Sequence, residues 1–193
     1  MSAQYRLDTD LNEALKMASA LQDYVRGGEL YGNAGGGFFS KMPALTIGAL
    51  VMRLRRLHAL EAELSAPQRA QLRQAQAHYD ETARDWRVHF EEKVRREAVS
   101  RLDALTPFFQ DSKQNPRSAV TNYLPEASRR TIVQELLPVL DELGGADSAF
   151  KAKLKSADTA LRALVQPCDF LWASPLQAVY SPQVYWWLYH RPQ

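Results

Sequence analysis

Ser65–Leu105, SAPQRAQLRQAQAHYDETARDWRVHFEEKVRREAVSRLDAL, opens on a serine and an early proline and then runs without glycine or further proline until Pro107. Ser65 followed by Gln68 is the capping-box spacing, in which a hydroxyl and an amide each satisfy a backbone N–H orphaned at a helix start. Apolar side chains then recur at Leu72, Ala75, Tyr79, Trp86, Phe90, Val94 and on to Leu105 at helical intervals. As one helix, the thirty-nine residues from Pro67 to Leu105 extend ~58 Å at ~1.5 Å per residue, whereas a compact chain of this length has a radius of gyration of ~16 Å. Such a rod bends, or forms the spine of an elongated bundle, or packs on another chain. Its near-heptad spacing favours the last two, which predicts an elongated bundle that self-associates as a homodimer through this helix.

The flanking segments carry the same period. Asp10 and Glu13 have the capping-box spacing, and Leu11, Ala14, Ala18, Leu21 and Val25 follow until Gly27 and Gly28 stop the run. Pro43 suits a first helical turn, and Ile47, Leu50, Leu54, Leu57 and Leu64 continue a stripe through an arginine-rich segment. Asn115-Pro116 starts another helix, kinked by Pro125 and Pro138 and stopped at Gly144-Gly145. The next runs from about Asp147 to Val165 on Phe150, Leu154, Ala157, Leu161 and Leu164, with Lys151, Lys153, Lys155 and Arg162 outward. Residues 167–193 differ in kind: Ser174-Pro175 and Ser181-Pro182 each read as a cap with proline at the first helical position, between six Trp and Tyr residues. The sequence thus predicts an all-α fold of about five main helices, with one very long central helix and an aromatic tail of short helical turns. One domain spans 1–193, with a bundle over 1–166 and the tail of 167–193 packed on it.

Composition narrows the function. The 24 basic and 22 acidic residues are spread along the chain, for a formal net charge of +2, so no block is built to grip nucleic acid. Arg53, Arg55 and Arg56, and Arg95 and Arg96 with Glu91, Glu92 and Glu97 between and beside them, read as solvated helix faces. The apolar run from Met42 to Leu64 is broken by three arginines and His58, short of a membrane span. The start MSAQYRLDTDLNEAL lacks a signal-peptide core, and the lone Cys168 excludes an internal disulfide, so a cytoplasmic protein is expected.

The stretch GGELYGNAGGGFFSKMP at 27–43 holds six of the nine glycines. Ahead of a helix such a loop can cradle an anion, since backbone N–H groups and the positive helix end converge there. The candidate ligand site is Arg26, Gly32, Asn33, Gly35, Gly36, Gly37, Ser40 and Lys41. Neither a preceding strand nor Gly-Lys-Ser/Thr is present, so a nucleotide P-loop is not expected. In the competing reading the glycines and Asn33 turn the chain while Tyr31, Phe38 and Phe39 fasten it.

His58/Glu61, His78/Glu81 and His89/Glu92 share a three-residue spacing, with Asp85 between the last two pairs. The order is the reverse of the Glu-x-x-His of di-iron bundles, and one helix offers an ion only adjacent pairs, so partners such as Glu13 or Asp23 would be needed. No metal and no cofactor is expected. Cys168 has no histidine partner in sequence and no Gly-x-Ser-x-Gly elbow exists, so no catalytic motif is recognised. The expectation is a non-enzymatic interaction or scaffold protein acting as a homo-oligomer, with a protein partner and neither nucleic acid nor membrane. The alternative is a small-molecule or anion-binding protein, or an enzyme, with its site at the loop 27–43.

Overall fold

The computed structural model describes residues 5–35 and 42–192 of the chain. Contacts divide it into two compact units, one of Arg6–Glu97 and one of Tyr5 with the chain from Ala98 onward, the division falling inside a helix. The fold is all-α. Its only regular strands among the described residues are two three-residue segments in the second unit.

The first unit holds α1 (Leu7–Ser19), α2 (Leu21–Arg26), α3 (Ile47–Ala59), α4 (Ala66–Asp85) and most of α5 (Arg87–Asp103). α1 lies against both α3 and α4, burying Leu11, Ala14, Met17 and Leu21 with Leu50, Leu57 and Leu72. Each fully buried leucine contributes roughly 1.5–3 kcal/mol. The Ser65/Gln68 capping box forms: Gln68 N–H donates to Ser65 Oγ at 3.4 Å and Ser65 N–H to Gln68 Oε1 at 2.8 Å. Thr46, rather than Pro43, opens α3, accepting from Ala49 N–H at 3.1 Å. Proline fixes φ but does not compel a helix, and the backbone at Leu45 is held instead in a bridge with Gly32.

Three sequence expectations need correction. The 67–105 segment is not one rod: α4 stops at Asp85, Trp86 takes φ −117° and ψ 32°, and α5 ends at Asp103. Neither proline nor glycine marks the break, whose indole lies beneath the Arg26 guanidinium, 4.8 Å from the ring centroid. Asp10 is not a cap, because α1 begins at Leu7 and Asp10 is buried. Its partners are on α3, Arg53 at 3.6 Å and Arg56 at 3.6 Å, while Glu13 accepts from Arg53 Nε at 2.8 Å. Arg53 is therefore buried and paired rather than solvated, as desolvated guanidinium requires.

The second unit contains the end of α5, α6 (Leu105–Gln114), α7 (Pro116–Glu142) and α8 (Ser148–Leu164). α7, at 27 residues, is continuous through Pro125 and Pro138. Asn115 caps it, accepting from Ser118 N–H at 3.3 Å. It ends in a Schellman turn, with Gly144 at φ +70° and Gly145 N–H donating to Leu140 O at 2.8 Å. Asp147 caps α8 through Phe150 N–H at 2.8 Å. β1 (Val165–Pro167) and β2 (His190–Pro192) pair antiparallel and close the tail, with Gln166 opposite Arg191. Between them lies a short 3-10 turn, Ser174–Leu176, but Ser174 is its first residue rather than its cap and no side chain caps it, whereas Ser181-Pro182 makes only a hydrogen-bonded turn.

The tail's aromatic rings pack on α7. Trp187, Tyr180 and Tyr185 are buried, and their polar ends find partners as buried Tyr and Trp must. Trp187 Nε1 donates to Thr131 Oγ1, Tyr185 Oη to Glu135 Oε1, and Tyr123 Oη to Trp187 O, each at 2.9 Å. Arg130 lies 4.1 Å from the Trp187 centroid while its Nε donates to Asp158 Oδ1 at 2.6 Å, so α7, α8 and the tail share one buried guanidinium.

Candidate functional site

An open groove of about 590 Å³ runs between α6 and α8, wholly within the second unit. The sequence period of α8 creates it. Phe150, Ala157 and Leu161 turn into the core, which leaves Ala152, Ser156, Ala160 and Ala163 on the neighbouring flank at spacings of three and four, one helical face. Small side chains there leave the space between the two helix surfaces unfilled. Phe109 forms the apolar wall on α6, and Leu164 closes one end.

At that end the groove meets a smaller cavity of about 200 Å³, which shares Ala163 and Leu164 and adds Ser112, Pro116, Ala119 and Pro192. Ser112 is only 4% exposed, and its hydroxyl has no hydrogen-bond partner among the described residues. An unpaired buried hydroxyl costs about 1–3 kcal/mol. The charged groups lining the main groove are Lys113 and Lys155, and Asp103 joins Lys113 in lining the adjoining stretch. Lys153, next along the rim, pairs with Asp103 at 2.5 Å.

The glycine-loop candidates are held differently. Gly32 exchanges both backbone hydrogen bonds with Leu45, at 2.9 Å each. A Cβ on it would stand 2.6 Å from Tyr24 Cδ2, so the absence of a side chain lets the ring lie against the backbone. Tyr24 Oη in turn donates to Leu30 O at 2.7 Å. Asn33 Oδ1 accepts from Gly35 N–H at 3.2 Å, and Gly35 sits at φ +78°, where glycine alone is unstrained. Arg26 is engaged by Trp86 instead of by these residues. Gly36, Gly37, Ser40 and Lys41, with Phe38 and Phe39, lie outside the described residues.

Lys93 and Glu97 are two buried charged residues of the Arg6–Glu97 unit. Lys93 is 3% exposed, lies 4.5 Å from the Tyr24 centroid and donates to Glu29 O. Burial lowers its pKa, with Arg96 adding to the effect. Glu97, read above as part of a solvated face, is fully buried; its Oε2 accepts from Gly48 N–H at 2.9 Å. The signal was present in the spacing, since Lys93 and Glu97 follow Phe90 on the buried flank of α5.

Of the histidine pairs, His58 Nδ1 stands 3.8 Å from Glu61 and its Nε2 is 3.0 Å from Gln76 Oε1, while His89 packs edge-on against Trp86. Among the described residues no three His, Cys, Asp or Glu side chains converge on one point. Cys168 is half-buried; burial pushes its thiol pKa up, which Arg191 partly opposes, and its Sγ donates to Asp169 O at 3.1 Å. A thiol held protonated is a poor nucleophile. No described helix is long and apolar enough to cross a membrane.

Comparison of the chain with known family models, curated proteins and solved structures finds no match in any of the three. The site is therefore read from its own chemistry.

Proposed function

We propose that this protein is a non-enzymatic interaction module that receives a protein partner in the groove between α6 and α8. The observation that carries the reading is the groove itself: an open apolar trough between two helices, floored by small side chains and rimmed by lysines. Grooves of that form accept the apolar face of a further helix. We assign the protein to the cytoplasm on its single cysteine.

A photoreactive amino acid placed at Ser156, compared with one at exposed Arg73 on α4, tests the reading in the cells that make the protein. The expected result is an adduct of defined mass from position 156 that Ala160→Trp suppresses. Adducts equal at both positions, or unchanged by Ala160→Trp, contradict it. An adduct of twice the 21.9 kDa chain mass identifies the partner as a second copy of this chain.

A further inference from the structure

We infer that the occupant of the α6–α8 groove is an acidic amphipathic helix; the inference rests on the interaction reading above. Two independent observations point to this chemistry. The first is charge. Lys113 on α6 and Lys155 on α8 both line the groove, and neither ammonium has an ion-pair partner among the described residues. A cationic rim attracts carboxylates and disfavours a basic helix, because complementary charge selects the partner and like charge rejects it.

The second is the apolar floor. Beyond the Ala163–Leu164 end a cavity of about 200 Å³ is lined by Ser112, Pro116, Ala119 and Pro192, and the Ser112 hydroxyl is itself buried away from that space. Ala152, Ser156 and Ala160 repeat every four residues, so they match leucines spaced three and four apart on a facing helix, which the Phe109 ring covers from the side. An extended strand, with side chains alternating at every second residue, does not fit that repeat. The groove's openness at its upper side suits a helix, which stays half-exposed, rather than a small ligand that must be enclosed.

The test is selection from a displayed library of amphipathic peptides, about 14 residues or roughly four turns long, with leucine fixed on one face. The remaining positions are randomised over Glu, Gln, Lys and Ala. Selection is against the full chain, with counter-selection against Ala160→Trp and separately against Ser156→Trp, whose far-ultraviolet circular dichroism must match the parent. The expected outcome is peptides rich in Glu on the polar face. Lys113→Glu with Lys155→Glu weakens them roughly fivefold or more, the sum of two exposed pairs, and shifts selection toward Lys. Peptides rich in Lys, or indifferent to charge, that still discriminate against the tryptophan variants overturn the acidic occupant while leaving the groove as a docking site. Peptides that do not discriminate against those variants overturn the docking reading itself. Light scattering that shows a dimer of the free chain, dissociated by Ala160→Trp, overturns the proposal in favour of a second copy.

Discussion

The Glu97 carboxylate accepts a 2.9 Å hydrogen bond from the Gly48 N–H, forty-nine residues earlier in the chain. Gly48 belongs to the first turn of α3, where backbone N–H groups have no partner within the helix and the helix end carries a partial positive charge. The buried carboxylate supplies both an acceptor and a negative charge there. Glu97→Ala is expected to lower the unfolding free energy by about 2 kcal/mol, since a buried donor is left without its charged acceptor. Glu97→Gln, which keeps an acceptor but loses the charge, should lose less. Urea denaturation followed by circular dichroism distinguishes the two; equal stability of Glu97→Ala and the parent removes this account of α3.

Gly32 and Gly35 are glycines for different reasons, and alanine separates them. At Gly35 there is open space but a φ of +78°, so Gly35→Ala is expected to cost about 1 kcal/mol through backbone strain alone. At Gly32 the backbone is ordinary and the added Cβ strikes Tyr24. Gly32→Ala therefore costs about 1–3 kcal/mol by displacing a packed ring, and Tyr24→Ala made alongside should recover part of that loss. Additive losses in the double variant contradict the contact.

Tyr123 should stay protonated well above the pH at which exposed tyrosines ionise. Burial raises its pKa, with Cys168 adding to the shift, and its Oη donates to Trp187 O, a bond that exists only in the neutral form. Because the folded value lies above the unfolded value of about 10, the native state holds more protons than the unfolded chain in the interval between them. Stability from this group is complete below pH 10 and is lost as the pH rises through that interval. Absorbance at 295 nm should show fewer tyrosines ionising in native protein than in urea over that interval, and Tyr123→Phe should reduce that difference by one tyrosine, the remainder including Tyr189, whose pKa burial also raises. An unchanged difference assigns it elsewhere.

The helical character of this chain is written in its spacing, and the capping signals at Ser65, Asn115 and Asp147 lie where the backbone bonds require them. What spacing could not convey was pairing. Asp10 and Glu13 match a capping box in sequence, but their carboxylates are spent on Arg53 from a helix forty residues away. The break at Trp86 lacks any local signal and accompanies the Arg26 guanidinium stacked on its ring, a tertiary contact. The groove was legible only in part. Its floor of Ala152, Ser156 and Ala160 was visible as small residues beside the apolar stripe of α8, yet nothing local to that stretch indicates that α6 supplies Phe109 and Lys113 opposite it.

The central claim is that the α6–α8 groove is a docking surface, and chemical-shift mapping tests it most directly. Amide spectra of labelled full-length protein should be recorded with and without an acidic peptide from the selection above. The account predicts saturable shifts concentrated at Phe109, Lys113, Ser156, Ala160 and Leu164, lost in Ala160→Trp. Shifts that gather on the Arg6–Glu97 unit, or that persist undiminished in Ala160→Trp, would contradict it.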